Sequence, residues 1–151
     1  MNLKESDKMN KLFVYGSLKS EKVQKELFAK VLKSYEAELI NYALYEAEDG
    51  YYFIKKELNE IVKGYILELE DYDLKICDAF EECPEMYHRE KINCLCEGNS
   101  IEVYVYIRVD NVGNYKKVEN FDLYSGLSEN KLIENEIKIF KEKEHPEFYS
   151  K

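Results

Sequence analysis

The chain has 151 residues, the size of one ordinary domain, and 45% of them are hydrophobic, which excludes a disordered polymer and leaves enough apolar mass for a core with a pocket. Acidic residues outnumber basic ones 31 to 22, a formal net charge of −9, so no nucleic-acid partner is expected, because phosphate binding needs clustered Lys and Arg. No apolar stretch approaches the ~20 residues of a membrane-spanning helix, and residues 1–8 mix charges without an apolar core, so a soluble, cytoplasmic chain with no membrane partner is expected.

Residues 12–15 (Leu12, Phe13, Val14, Tyr15) read as a first strand, stopped by Gly16 and Ser17. The run Tyr15, Gly16, Ser17, Leu18 places backbone N–H groups, a glycine free to take positive φ and a serine hydroxyl at a strand-to-helix junction. Such a loop holds an anion without a charged side chain, although most Gly-Ser turns only connect elements. Residues 21–33 carry Val23, Leu27, Phe28, Val31 and Leu32 on one stripe, the pattern of an amphipathic helix. Residues 36–45 alternate as a strand, and Glu48, Asp49 and Gly50 turn the chain into a strand over 51–54. Asn59 and Glu60 separate that strand from another over 61–69. Asp71 is placed to cap a helix over 72–80 that ends at an acidic cluster. Residues 86–96 and 101–109 are two long strands joined through 97–100, residues 110–129 are mostly loop, and residues 128–142 form a closing helix with Leu132, Ile133, Ile137 and Phe140 inward.

Six strands joined mainly by short turns, with three helices between them, describe an α+β fold. The sheet is expected to curl into a small mixed or antiparallel β-barrel flanked by helices, because an open sheet this apolar would leave sticky edges. One domain over residues 1–151 is expected, with an N-terminal extension at 1–10 and a C-terminal tail at 144–151. Cys77, Cys83, Cys94 and Cys96 read as reduced, buried thiols; none forms the Cys-x₂-Cys pair of a zinc site, and His88 and His145 do not complete one, so no metal is expected. Lys and Glu interleaved over 138–144 read as a solvated face.

Tyr15, Gly16, Ser17 and Leu18, followed by the later set Asp78, Glu81, Tyr87 and Arg89, resemble the two motifs of the gamma-glutamylcyclotransferase-like (AIG2-like) family. Gly50, Tyr51 and the strand over 62–67 fall where that family has comparable elements. The form Phe80, Glu81, Cys83, Pro84, Tyr87, Arg89 is most similar to its gamma-glutamylamine cyclotransferase branch. The resemblance runs from about Lys11 to Arg108, with a weaker echo over 121–125.

The resemblance implies a small barrel flanked by helices that works without a cofactor on a small gamma-glutamyl substrate, releasing an amine while the glutamyl part closes to 5-oxoproline. The nucleophile in that cyclisation is the substrate's own α-amine, so the protein needs a proton carrier and no catalytic Ser or Cys. Glu81 is the expected carrier, as base and then acid, its pKa raised by partial burial and by neighbours such as Asp78, Glu82 and Glu85. The loop Tyr15, Gly16, Ser17, Leu18 is expected to hold the substrate's oxygens, and Tyr87 and Tyr124 to line the pocket with phenols that donate. Arg89 reads equally as a substrate contact or as an ion pair with Asp78 or Glu85. Glu82 stands where many members have a small residue, and Tyr52 and Phe53 stand where the family has a proline; both bear on substrate choice. Gamma-glutamyl peptides or amino acids are the alternative substrates, and a non-catalytic small-molecule-binding or interaction domain with the same pocket is the alternative class.

Overall fold

Strand β1 (Asn10–Val14) is apolar on both faces and lies inside the sheet. It runs antiparallel to β3 (Tyr52–Leu69), with Leu12 opposite Leu67, and parallel to β5 (Asn99–Arg108), with Leu12 opposite Tyr104. The remaining strands are β2 (Ser34–Glu46), β4 (Tyr87–Cys96) and β6 (Lys116–Lys117). In the computed structural model, which describes residues 9–150, the six strands form one sheet in the order β3, β1, β5, β4, β2, β6. Strand β2 also pairs along β3, so the pairings close a ring through β3, β1, β5, β4 and β2. The mixed α+β architecture matches the expected fold class, with strands in a ring and helices on its flank.

Alternation along β1 divides the core in two. Leu12 and Val14 join the helix-side cluster with Val23, Leu27 and Leu67. Phe13 and Tyr15 point into the ring with Leu39, Ile66 and Val105. The loop that follows Val14 therefore emerges between the two clusters.

Helix α1 (Glu21–Phe28) is capped by Ser20, whose Oγ accepts from the Val23 N–H at 3.2 Å. It ends before the expected residue 33 because Ala29 turns left-handed at φ 61° and its N–H closes on the Lys25 carbonyl at 2.9 Å. Leu32 still packs inward while Val31 turns outward, 41% exposed. Helix α2 (Asp71–Phe80) has Glu70 rather than Asp71 at its cap position; Asp71 accepts instead from the Asn10 side chain at 2.8 Å.

The two strands expected over 51–69 are one. Asn59 takes φ 69°, its N–H donates to Asn41 Oδ1 at 2.9 Å, and the register shifts there without breaking the pairing. Strands β4 and β5 join through a two-residue turn at Glu97 and Gly98, both at positive φ, which is tighter than the connection expected over 97–100. Strand β6 lies in the segment read as loop and pairs with Tyr45 and Glu46.

A last helix, α3, covers residues 129–144 and mixes α turns with wider π turns over Leu132–Ile137 and Phe140–Glu144. Leu132, Ile137 and Phe140 are buried as expected. The segment read as a tail is packed: Phe148 and Tyr149 lie against the helix-side cluster, and the Tyr149 phenol donates to the Leu27 carbonyl at 2.9 Å. The expected extension at 1–10 lies outside the described residues except for its last two, and Asn10 opens β1. Cys77, Cys94 and Cys96 are buried free thiols and Cys83 is half-buried. Among the described residues no helix is long and apolar enough to cross a membrane, and no group of His, Cys, Asp and Glu is arranged to hold a metal ion.

Candidate active site

The chain leaves β1 at Tyr15 and makes one tight helical turn over Ser17–Lys19, closed by Lys19 N–H to Gly16 carbonyl at 3.0 Å. Gly16 does not use the positive φ expected of it; its φ is −130°. The position favours glycine because a Cβ there would lie 3.3 Å from the Tyr124 carbonyl oxygen and 3.8 Å from Tyr52 Cβ. The late loop thus presses directly on the first turn. Gln24, fully buried, locks the turn from behind by donating to the Leu18 carbonyl at 2.9 Å while accepting from the Leu32 N–H at 3.0 Å. Among the described residues the N–H groups of Gly16, Ser17 and Leu18 donate to no acceptor.

Glu81 arrives from the other side. On α2 it follows Leu74 by seven residues and Cys77 by four, so it continues the buried face of that helix and closes its end, N–H to Cys77 carbonyl 2.9 Å. Its carboxylate makes no hydrogen bond or ion pair among the described residues, and it lines a cavity of about 40 Å³ together with Tyr15, Gly16, Ser17 and Leu18. Burial raises its pKa to about 8, the nearby Glu82 adds to the rise, and Arg108 opposes it. Asp78 and Glu85, expected to contribute, do not appear among the causes. A carboxyl with that pKa exchanges protons near neutrality.

The rest of the wall is phenolic: Tyr51, Tyr52, Tyr87, Tyr106 and Tyr124. Every site residue expected from the sequence lines this one cavity, Tyr87 and Tyr124 included. One expected role changes. Tyr87 does not offer its proton to the cavity, because its phenol donates to the Tyr52 carbonyl at 2.7 Å. Tyr15 likewise donates to the Tyr106 carbonyl at 2.7 Å, and Tyr106 to Asp78 at 2.7 Å. Burial drives the phenols of Tyr15, Tyr87 and Tyr106 well above their ordinary pKa, so all three stay protonated and hold the frame.

Arg89 makes the ion pair with Asp78 and does not line the cavity. Its Nε and Nη2 meet both oxygens of Asp78 at 2.9 and 3.1 Å. Sequence reasoning missed Arg108, whose side chain is 3% exposed behind Tyr87, its guanidinium 5.7 Å from that ring. It binds Asp49 at 2.6 Å and Asp110 at 2.7 Å. For Asp49, burial works to raise the pKa, but the bonds from Arg108 and from the Tyr51 N–H together lower it. This clamp fixes the turn that carries Tyr51 into the cavity wall. The available signal was the alternation of β5, where Arg108 continues the face of Tyr104 and Tyr106.

Comparison with known proteins bears on the same residues. A family model described as gamma-glutamyl cyclotransferase, AIG2-like, matches residues 12–126. A Methanocaldococcus jannaschii protein named gamma-glutamylcyclotransferase and putative RNase is 33% identical over 109 residues, which are 69% of this chain and 49% of that protein. The chain therefore spans about half the length of that curated relative. A solution structure from Arabidopsis thaliana superposes with a TM-score of 0.63 at 22% identity, covering 95% of each chain. The crystal structure of an AIG2-like protein from mouse gives 0.54 at 24% identity, covering 66% of this chain and 76% of that one. At those identities the two structures are alike in fold.

Proposed function

Because the chain belongs to the gamma-glutamyl cyclotransferase, AIG2-like family, we propose that it cyclises the glutamyl part of a gamma-glutamyl amine or related compound to 5-oxoproline and releases the amine. Glu81, ionised, takes a proton from the substrate's α-ammonium. The freed nitrogen attacks the γ-carbonyl carbon, five ring atoms close, and the carbonyl oxygen becomes an oxyanion. The N–H groups of Gly16, Ser17 and Leu18 and the Ser17 hydroxyl are the donors available to that oxygen. The carbon–nitrogen bond then breaks as the proton held by Glu81 passes to the departing nitrogen; the ring nitrogen gives its surplus proton to the freed Glu81 carboxylate, which hands it to the released amine, so the products are 5-oxoproline and an ammonium and Glu81 is ionised again. The two products contain every atom of the substrate, so no water is consumed.

The observation that carries this reading is the meeting in one cavity of an unpartnered carboxyl with a raised pKa and a turn of unsatisfied N–H groups. The form of the motif from Phe80 to Arg89 supports the gamma-glutamylamine branch over gamma-glutamyl peptides or amino acids. The test is incubation with a panel of gamma-glutamyl amides, peptides and amino acids, with 5-oxoproline as the readout. Product is expected from the amides, with a loss of ~10² or more in Glu81→Gln. Undiminished turnover in that variant overturns the role of Glu81, and no product from any compound overturns the activity in favour of a binding domain.

A further inference from the structure

A buried cation stands directly behind the cavity wall. The Arg108 side chain is 3% exposed and does not line the cavity. Its edge is occupied by two carboxylates: Nη1 and Nη2 donate to the two oxygens of Asp49 at 3.1 and 2.6 Å, and Nε donates to Asp110 at 2.7 Å. Its face is left to Tyr87, with Cζ 5.7 Å from the ring centroid. Tyr87 in turn lines the cavity beside Glu81 and donates to the Tyr52 carbonyl at 2.7 Å. Asp49 also accepts from the Tyr51 N–H at 3.0 Å, and the Gly50 carbonyl accepts from the Gly126 N–H at 2.7 Å. One guanidinium therefore braces the Tyr87 ring and the turn that carries Tyr51, and through Gly50 that turn reaches the late loop.

An aromatic ring, and not water, separates the guanidinium from the cavity, so its field reaches the Glu81 carboxyl with little screening. The other groups that face Glu81 are mostly neutral or paired. The phenols of Tyr15, Tyr87, Tyr106 and Tyr124, from β1, β4, β5 and the late loop, stay protonated. So do Tyr51 and Tyr52 at the turn and the Cys77 thiol on α2. Asp78 on the same helix is paired with Arg89. Glu136 of α3 bonds to the Tyr51 phenol, and Glu144 and His145 stand across the neighbouring cavity. Glu82, next in the chain, adds to the rise in the Glu81 pKa, and Arg108 opposes it.

Resting on Glu81 as the proton carrier of the cyclisation, we propose that Arg108 is a positioning residue for the reaction: it braces Tyr87 and the turn at 48–51 against the cavity, and its charge, balanced by Asp49 and Asp110, sets the pH at which Glu81 gives up its proton. A cation behind the wall favours the ionised carboxyl, the form that takes the substrate's proton, while burial favours the neutral one. Removing the positive charge raises the affinity of Glu81 for its proton, and removing one of the two balancing carboxylates lowers it. Loosening of the wall has a different signature, because water admitted to the cavity solvates the carboxylate and lowers its pKa whichever partner is lost.

The test reads Glu81 directly, by carbon NMR of protein labelled at its glutamate carboxyls, with the Glu81 signal identified by its loss in Glu81→Gln. Arg108→Gln, which keeps hydrogen-bonding capacity without the charge, is expected to move the midpoint up by ~0.5–1 pH unit, and Asp49→Asn to move it down by a similar amount. Arg108→Lys, which keeps the charge without the fork, is expected to titrate close to wild type. The pH profile of kcat/KM for 5-oxoproline formation shifts in step with the NMR midpoint. A midpoint that falls in both Arg108→Gln and Arg108→Lys gives the clamp a structural role alone and overturns the inference, as does a midpoint unmoved in every variant. Should Arg108→Gln not fold, the other two decide: a fall in Asp49→Asn with no change in Arg108→Lys upholds the inference, and any other pair of results overturns it. Unmoved midpoints leave the cyclotransferase reading standing, since 5-oxoproline scores it separately. Shifted midpoints without product from any gamma-glutamyl compound keep the electrostatic link and remove that reading.

Discussion

Asp78 and Arg89 face each other through two parallel hydrogen bonds, 2.9 and 3.1 Å, that tie the last turn of α2 to the start of β4. The same carboxylate accepts from the Tyr106 phenol at 2.7 Å, and Glu81 lies one turn further along α2. The pair therefore holds the end of the helix from which Glu81 reaches the cavity.

Arg89→Met leaves Asp78 partly buried with the Tyr106 phenol as its remaining side-chain partner among the described residues. Both side chains are about a quarter exposed, so the expected loss is at the lower end for a broken pair, ~1–2 kcal/mol by urea denaturation. A drop in kcat accompanies it as the helix end loosens. Arg89→Lys restores the charge but not the fork, and is expected to recover stability only in part.

The raised pKa of Glu81 sets two pH dependences of opposite sense. In the proposed role of base it must be ionised, so kcat/KM is expected to rise with pH through an apparent value near 8. Stability runs the other way. The folded pKa lies above the ordinary 4.5, so the native state holds an extra proton between the two values. The stabilisation is full below ~4.5 and is lost as pH rises through ~8. Glu81→Gln is thus expected to match the wild type in urea midpoint at about pH 4.5 and to exceed it at about pH 9, while losing turnover. A variant less stable than wild type at the higher pH contradicts the burial of that carboxyl.

Gly64 lies on β3 next to Tyr65, the partner of Val14, and a Cβ there would lie 2.3 Å from the Val14 carbonyl oxygen and 2.9 Å from Phe13 Cζ. The carbonyl belongs to a paired strand and has no room to move. Gly64→Ala is expected to lose ~1–3 kcal/mol in chemical denaturation. Because Val14 leads into the turn at 15–18, KM for the gamma-glutamyl amide rises with it.

Lys19 is 8% exposed, donates to the Phe121 carbonyl and lies 5.8 Å from the Tyr124 ring centroid. It ties the late loop to the first turn, and burial lowers its pKa to about 8. Lys19→Met is expected to speed amide hydrogen exchange over 121–126 and to raise KM several-fold with a smaller change in kcat. Unchanged exchange in that segment refutes the tie.

Much of this site is legible in local sequence because local chemistry makes it. Tyr15 to Leu18 follows an apolar run and turns the chain, and Glu81 follows Leu74 and Cys77 at helical spacing, so local geometry aims both groups inward. What stayed illegible depends on pairs far apart in the chain. The 14 tyrosines look like composition in the sequence. In the fold, Tyr15 spends its proton on Tyr106 and Tyr87 on Tyr52, partners 91 and 35 residues away. Arg108 reads as one surface cation among many until β5 places it against Asp49.

The sequence by itself determined the alternating strands, the turn at 15–18, the acidic balance and the family, since each is written in neighbouring residues or in a motif of fixed spacing. Only the tertiary structure decided which phenols are frame and which are wall, that Arg89 belongs to Asp78, and that Glu81 meets the first turn in one cavity. The physical reason is that burial and hydrogen-bond partners come from strand order and ring closure, which bring residues 15, 51, 81 and 124 to one place although no short stretch of chain contains any two of them.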